Sequence, residues 1–429
     1  MSPLEDRRGF LKRAGLSVAG ALGAGALAPL GADGGERASG TLQPSLETDA
    51  PLIPTVADPE ATLAPVPFHG PHQAGILTPP PPAATLVSFD VVAETRGELI
   101  ELLRTLTEKA RSLTAGGTPP GLGVDAPPSD SGTLGPIIPA DGLTVTVGFG
   151  STLFDERFGI AERKPIDLKP MVSFPNDDLD PALTGGDLLL QLCGGSPDTV
   201  IHAIRQIAAV TSGGMQINWR QDGFHSPPRP AGAPRNHFAF KDGIVNPDVQ
   251  DAGVADRLLW VTDGIGEPGW AVGGSYHVVR IIQQFIEFWD RVSLTEQQQM
   301  IGRFRDSGAP LDGTVETDIP DYAADPTGAS IPLTAHIRLA NPRTEPTADS
   351  RIYRRGYNYD NGVDVNGNLD MGLVFNCFQQ NVTRQFEATQ RRLIGEPMVD
   401  YISPIGGGYF FALPGVRDEQ DWYASGLFT

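Results

Sequence analysis

Three short segments of this 429-residue chain concentrate side chains able to do chemistry. The first, Arg235 to Pro247, carries Asp242-Gly243 and, soon after, Asn246-Pro247. Such pairs make turns, and Phe238 and Phe240 would hold the turn against apolar surface. Taken alone, it is either an Asx-type turn without chemistry or a carboxylate presented at a fixed point. The second, Ala335 to Arg343, carries His336 and Arg338. A lone His is more often a packed or surface residue than a metal ligand. The third, Arg351 to Tyr359, sets Arg354 and Arg355 among tyrosines. A guanidinium pair there is either solvated and stacked or a clamp for an anion.

Composition narrows what such residues could serve. The chain has 52 acidic against 32 basic residues, a formal charge of -20. That balance argues against a nucleic-acid partner and against docking on an anionic membrane surface. Two Cys exclude a disulfide scaffold and any Cys-rich zinc or iron–sulfur site. Cys193 and Cys377 both fall in expected strands, as reduced core thiols. Seven His leave room for one or two imidazole metal sites. A hydrophobic fraction of 40% suffices for a sizeable core, and 51 Gly with 39 Pro call for many turns.

The elements that must position the three segments can be read from periodicity. Thr85–Val92 is apolar and partly β-branched, a strand. Leu99, Leu102, Leu103 and Leu106 recur at helical spacing. Strands are expected at Leu143–Phe149 and Leu188–Cys193. A helix opens at Pro197 with Val200, Ile204 and Ile207 on one face, and a strand at Met215–Trp219 follows. The order β, α, β, β, α, β resembles a ferredoxin-like unit. A second unit is expected from strands at Tyr276–Ile282, Gly372–Phe378 and Tyr409–Leu413, with helices over Gln283–Val292 and Asn381–Leu393. Two Gly/Pro-rich stretches, 221–275 and 303–371, interrupt it, and loops of that length are usually functional or carry short helices. The expected fold is α+β: two ferredoxin-like halves with antiparallel sheets, 68–235 and 236–429, the second carrying the site.

The N-terminus adds an address. Arg7-Arg8 precedes Phe10-Leu11 and a weakly apolar Ala/Gly run from Ala14 to Leu30. This resembles a twin-arginine (Tat) export signal and is too poor in Leu, Ile and Phe for a membrane anchor. Residues 1–40 are assigned to that signal and 41–67 to a Pro-rich linker or arm. Removing the first forty residues takes away five bases and four acids, leaving -21, so the acidity belongs to the mature protein.

Together the three segments resemble one family, the dye-decolorizing (DyP-type) haem peroxidases. The run Phe-Ala-Phe-Lys-Asp242-Gly resembles the family's Gly-x-x-Asp-Gly region, with Ala239 where Gly is usual. A methyl is tolerated there unless the backbone needs a positive φ. His336 to Arg343 resembles the segment with the proximal haem histidine, and Arg354-Arg355-Gly-Tyr357 that with the distal arginine. Their spacing of 18 residues suits the exported, Tat-dependent members of the deferrochelatase/peroxidase subgroup. Further matches run from Phe68-His-Gly-Pro-His-Gln73 to Gly406-Gly-Gly-Tyr-Phe-Phe-Ala-Leu-Pro-Gly415.

The resemblance implies one haem b per chain, enclosed by a dimeric α+β barrel-like fold, with His336 as iron ligand. It implies that hydrogen peroxide oxidises the haem to a ferryl–porphyrin radical, which small dye-like or phenolic donors then reduce. Asp242 would move the peroxide proton and Arg354 would stabilise the charge as the O–O bond breaks. Asn246 would either orient peroxide or cap the turn. Asp400 is the candidate partner for the far nitrogen of His336. Phe375 and Phe411 would pack on or behind the porphyrin, and Arg338, Arg355 and Lys241 would meet its propionates. Trp270, Trp289, Tyr353, Tyr359 and Trp422 are available to relay electrons. The alternatives are a peroxidase serving ferrous-iron uptake or iron release from haem, with iron-uptake components as partners, and a non-catalytic haem carrier. A homo-oligomer stays open, as does the donor.

Overall fold

The computed structural model describes residues 62–429; the proposed signal and most of the linker lie outside them. The first half runs β1 (Ala83–Val91), α1 (Arg96–Ala115), β2 (Thr144–Gly150), β3 (Leu188–Gly194), α2 (Pro197–Thr211) and β4 (Met215–Phe224). Local chemistry sets the helix starts. Thr95 and Glu98 close a capping box at α1, and Ser196 caps α2 ahead of Pro197. Leu99, Leu103 and Leu106 of α1 and Ala203 and Ile207 of α2 bury against Val87, Val147 and Leu190 of the strands.

After α3 (Ala252–Leu258) the second half runs β5 (Ser275–Gln284), α4 (Ile286–Trp289), α5 (Leu294–Ile301), α6 (His336–Ala340), β6 (Tyr353–Arg354), β7 (Tyr357–Val363), β8 (Leu369–Gln379), α7 (Ala388–Leu393) and β9 (Ile402–Ala412). The expected helix at 283–292 is reduced to α4, since β5 continues to Gln284, and Ser293 caps a separate helix, α5, beyond it. The helix expected at 381–393 opens instead as a π-turn, Thr383–Glu387. Strand β7 went unread because its exposed end, Asp360-Asn-Gly-Val363, has loop composition.

Each half carries the ferredoxin-like strand order. The first is β4-β1-β3-β2, the second β9-β5-β8-β7. The edges then join, β2 to β9 and β4 to β7, and the sheet closes into a barrel. Successive side chains alternate between barrel interior and outer face. Leu86 and Leu189 from the first half meet Val279, Ile281, Val374 and Phe410 from the second inside. Cys193 and Cys377 are buried free thiols. No helix among the described residues is long and apolar enough to cross a membrane.

Candidate active site

The outer face of the second half's sheet carries Arg280, Ile282 and Gln284 on β5 and Leu373 and Phe375 on β8. These are the floor of a cavity roofed by the 236–247 loop, α6 and α7. Asp242, Asn246, His336, Arg354 and Phe375 all line it.

Asp242 is set by a tight turn. Asn236 N–H donates to the Phe240 carbonyl and Ala239 N–H to the Asn236 carbonyl. Ala239 has φ +67°, so the backbone does need the left-handed region there, and the methyl is strained rather than neutral. Arg354 Nη1 donates to Asp242 Oδ1 at 2.9 Å, and the Gly243 N–H to the same oxygen at 2.7 Å. Burial pushes the Asp242 carboxyl up, but the Arg354 charge and these donors outweigh it, and it lies below the usual carboxylate range. The side chain keeps 30% exposure, which it presents to the cavity it lines.

Asn246 holds the partner in place. Its Nδ2 donates to the Arg354 carbonyl at 2.9 Å, and its Oδ1 accepts the Arg354 N–H at 3.0 Å. Both atoms of its amide are bonded to the Arg354 backbone, and the residue lines the cavity. It pins β6, and so aims the Arg354 guanidinium.

His336 begins α6, which packs on the end of α5. The C-cap Gly302 sits at φ +92°, and a Cβ there would come within 2.7 Å of Ile337. His336 Nδ1 lies 2.7 Å from Glu396 Oε2, and Glu396 is 3% exposed. With Nδ1–H donating to this buried carboxylate, Nε2 is left as a lone-pair donor. Burial lowers the imidazole's proton affinity, but Glu396 overcomes it and the pKa is raised.

Several expected assignments are corrected. The partner of His336 is Glu396, not Asp400, which sits in the 3-10 turn Pro397–Tyr401 that follows. Phe411 does not line the cavity; it is fully buried against Trp270 and Tyr276. Arg338 points away, bonded to Asp325 and the Ile331 carbonyl with its guanidinium over Tyr322. Arg355 faces the barrel side and bonds the Thr78 carbonyl. Lys241 lines the cavity, but its amine is paired with Glu316. Arg355 directly follows β6 and its N–H bonds the Asn376 carbonyl, so the extended backbone turns it to the face opposite Arg354.

The sequence reading also missed the cavity's polar groups. Arg280, 2% exposed, pairs with Asp177 yet leaves Nη1 without a partner. Both side-chain amide atoms of Asn176, Oδ1 of Asn236 and Oε1 of Gln284 are likewise buried and unbonded, and all these residues line the cavity. Buried polar atoms are normally satisfied, so this set awaits a ligand. With Lys241 paired to Glu316 and Arg280 to Asp177, the lining still sets Arg303, Arg343, Arg351 and Arg354 against Asp242 and Glu396. In a chain of charge -20 this cavity is cationic. It suits a flat apolar body, packed by Ile282, Phe375, Phe386 and Leu393, that bears anionic groups.

The chain and its fold are similar to known proteins. The Dyp-type peroxidase N-terminal model matches residues 73–225, and the C-terminal model residues 233–417. A deferrochelatase of Yersinia pestis is 49% identical over 365 residues, covering 84% of each chain. One of Escherichia coli K12 is 48% identical over 379 residues, 87% of this chain and 90% of that one. Among solved structures, a DyP-type peroxidase from Cellulomonas bogoriensis superposes with a TM-score of 0.76 at 36% identity, over 85% of this chain and 98% of that one. Ferric DtpA from Streptomyces lividans superposes with 0.76 at 31% identity, over 85% and 97%. The cationic, ligand-ready cavity accords with the cofactor of these proteins, haem. The chain belongs to the Dyp-type peroxidase family and is a haem-dependent peroxidase.

Proposed function

We propose that His336 is the iron ligand and that Asp242 and Arg354 are the peroxide-activating pair. The observation that supports this is one cavity holding two oppositely built clusters, His336 on Glu396 and Asp242 on Arg354. Haem, held by His336, would supply the redox chemistry of the reaction. Glu396 holds the His336 ring in one tautomer and raises the donor strength of Nε2. Arg280 Nη1 and Asn176 Nδ2 are the free donors that would meet the haem carboxylates.

Asp242 is ionised at neutral pH and lines the cavity, so its carboxylate can take the proton from one peroxide oxygen. The same carboxyl returns it to the departing oxygen. Arg354 supplies a fixed positive charge where negative charge grows. Asn246 is a positioning residue for that charge. The donors are small organic molecules that give one electron each.

The chain is exported by the twin-arginine route, a reading supported by Arg7-Arg8 and the Ala/Gly run after it. Release of iron from haem is the second reading, supported by the 48–49% identity to deferrochelatases.

Purified protein expressed with ample haem should show a Soret band with ferric high-spin features, and His336→Ala should lose or weaken it. Protein that takes up no haem would overturn the assignment. Extraction of the tetrapyrrole after turnover separates the two roles, since iron release leaves metal-free porphyrin and peroxidation leaves haem.

A further inference from the structure

The pair Arg354-Arg355 sends two guanidiniums to opposite faces of one sheet, and the peroxide chemistry uses only the first. Arg355 points into the barrel and is 2% exposed. Its Nη1 donates to the Thr78 carbonyl, while Nε and Nη2 are buried without a hydrogen-bond partner. No carboxylate pairs with it among the described residues. A guanidinium cannot shed its proton in a protein, and a buried charge without a counter-charge is strongly unfavourable.

The side chains beside Arg355 do not supply that counter-charge. The Cys193 thiol and the Tyr357 hydroxyl lie against the guanidinium, and burial pushes both up, so both keep their protons at neutral pH. Tyr357 O–H donates to Cys193 Sγ at 3.5 Å. Burial, reinforced by the Arg355 charge, pushes the His277 imidazole down to about 3 and lowers His225 as well. All four neighbours are therefore neutral, and Arg355 is the positive charge they share.

The polar atoms left over at this end of the barrel are able to donate. Thr144 faces Cys193 across the β2–β3 pairing, and its Oγ1 is buried without a partner. His277, Asn376 and Gln191 are spent on one another. Residues 73–78 close the barrel end. Gln73 bonds the Val147 and Leu413 carbonyls, and Gly75, at φ +91°, lies so close that a Cβ would strike the Thr144 and Thr146 hydroxyls. An enclosed site with one fixed positive charge and N–H and O–H donors suits a small anion of single charge. A water molecule would satisfy the donors and leave the charge uncompensated.

We propose that the barrel interior binds a monovalent anion of halide size, chloride in ordinary solution, between Arg355 Nε and Nη2 and the Thr144 hydroxyl. The closed barrel end excludes bulky oxyanions, and one guanidinium balances one negative charge. Thr144 belongs to the first half of the chain and Arg355 to the second. The ion therefore ties the halves together from within, where β4 meets β7 at a single residue pair. The site is separate from the haem cavity, which Arg355 and Thr144 do not line, and it does not depend on the peroxidase reading.

The test is thermal unfolding of the full chain, with haem content matched, in sodium chloride, sodium bromide and sodium gluconate at equal ionic strength. The midpoints in chloride and bromide should exceed that in gluconate by at least about 3 °C. Arg355→Met keeps an unbranched apolar side chain and removes the charge, and it should erase the difference. Thr144→Val should reduce it. Equal midpoints in the wild type, or a difference that persists in Arg355→Met, overturns the site. If Arg355→Met does not fold, wild-type crystals soaked in bromide decide. An anomalous peak beside the Arg355 guanidinium is the expected result, and the lack of one overturns the proposal.

Discussion

At the scale of single residues, the site is two charge arrangements facing one cavity. Glu396 fixes the tautomer of His336, so Glu396→Gln should weaken iron or haem affinity by roughly 10–100-fold and shift the ferric/ferrous potential upward. Haem titration and spectroelectrochemistry would check both, and unchanged values would remove Glu396 from the assignment. Asp242 sits below the usual carboxylate range because Arg354 and the Gly243 N–H favour its ionised form over the burial that opposes it. Its contribution to stability is therefore complete above about pH 4 and fades only as the pH falls through the lower folded value. The acid limb of the peroxide-activation rate should accordingly lie below pH 4, and Arg354→Leu should move it upward. Rapid-mixing rates across pH would show this, and an unmoved limb would contradict the pairing. Asp242, His336 and Arg354 were legible only through the joint resemblance of their three segments to one family, since each segment taken alone left its reading open. Glu396 was not, because a buried acid 60 residues from its partner carries no local signal. Asp400 was named only for its position before the last strand.

At the scale of elements, two short pieces of irregular backbone do the positioning. The turn presenting Asp242 forces Ala239 to φ +67°, a conformation costing an L-residue roughly 1–2 kcal/mol. Ala239→Gly should raise unfolding stability by up to about 1 kcal/mol, since the added freedom of the unfolded chain offsets part of the relief. Denaturant titration would measure it, and a loss of stability would contradict the strain. Strand β6 is two residues long and depends on Asn246 for two of its bonds. Asn246→Ala should leave haem content intact while slowing the reaction with peroxide, because Arg354 loses its aim. A normal peroxide rate in that variant would return Asn246 to a merely structural part. The central strands and α1 and α2 were readable from periodicity. The Asn246 bridge was not, because it links residues 108 apart through one amide and leaves no pattern.

At the scale of the whole molecule, two ferredoxin-like sheets share one barrel, but their seams are thin. β2 meets β9 over three residue pairs and β4 meets β7 at one. What binds the halves is the shared interior, where Leu86 and Leu189 pack with Val279, Val374 and Phe410. Unfolding should therefore be a single transition for both halves, while amides at the β4–β7 seam exchange faster than those between β1 and β3. Calorimetry and native-state hydrogen exchange would test this, and two separate transitions would contradict it. The charge of -20 also takes on meaning at this scale. The acidic surface encloses a cavity lined by cations, and that contrast separates the haem site from the rest of the molecule. The central claim is that the Asp242–Arg354 pair activates peroxide on a haem held by His336. Stopped-flow absorbance of the haem-loaded wild type and Arg354→Leu with peroxide tests it most directly. Both proteins should show an intact Soret band, with a bimolecular rate about 10²–10³-fold lower in the variant. Equal rates with full haem occupancy would contradict it.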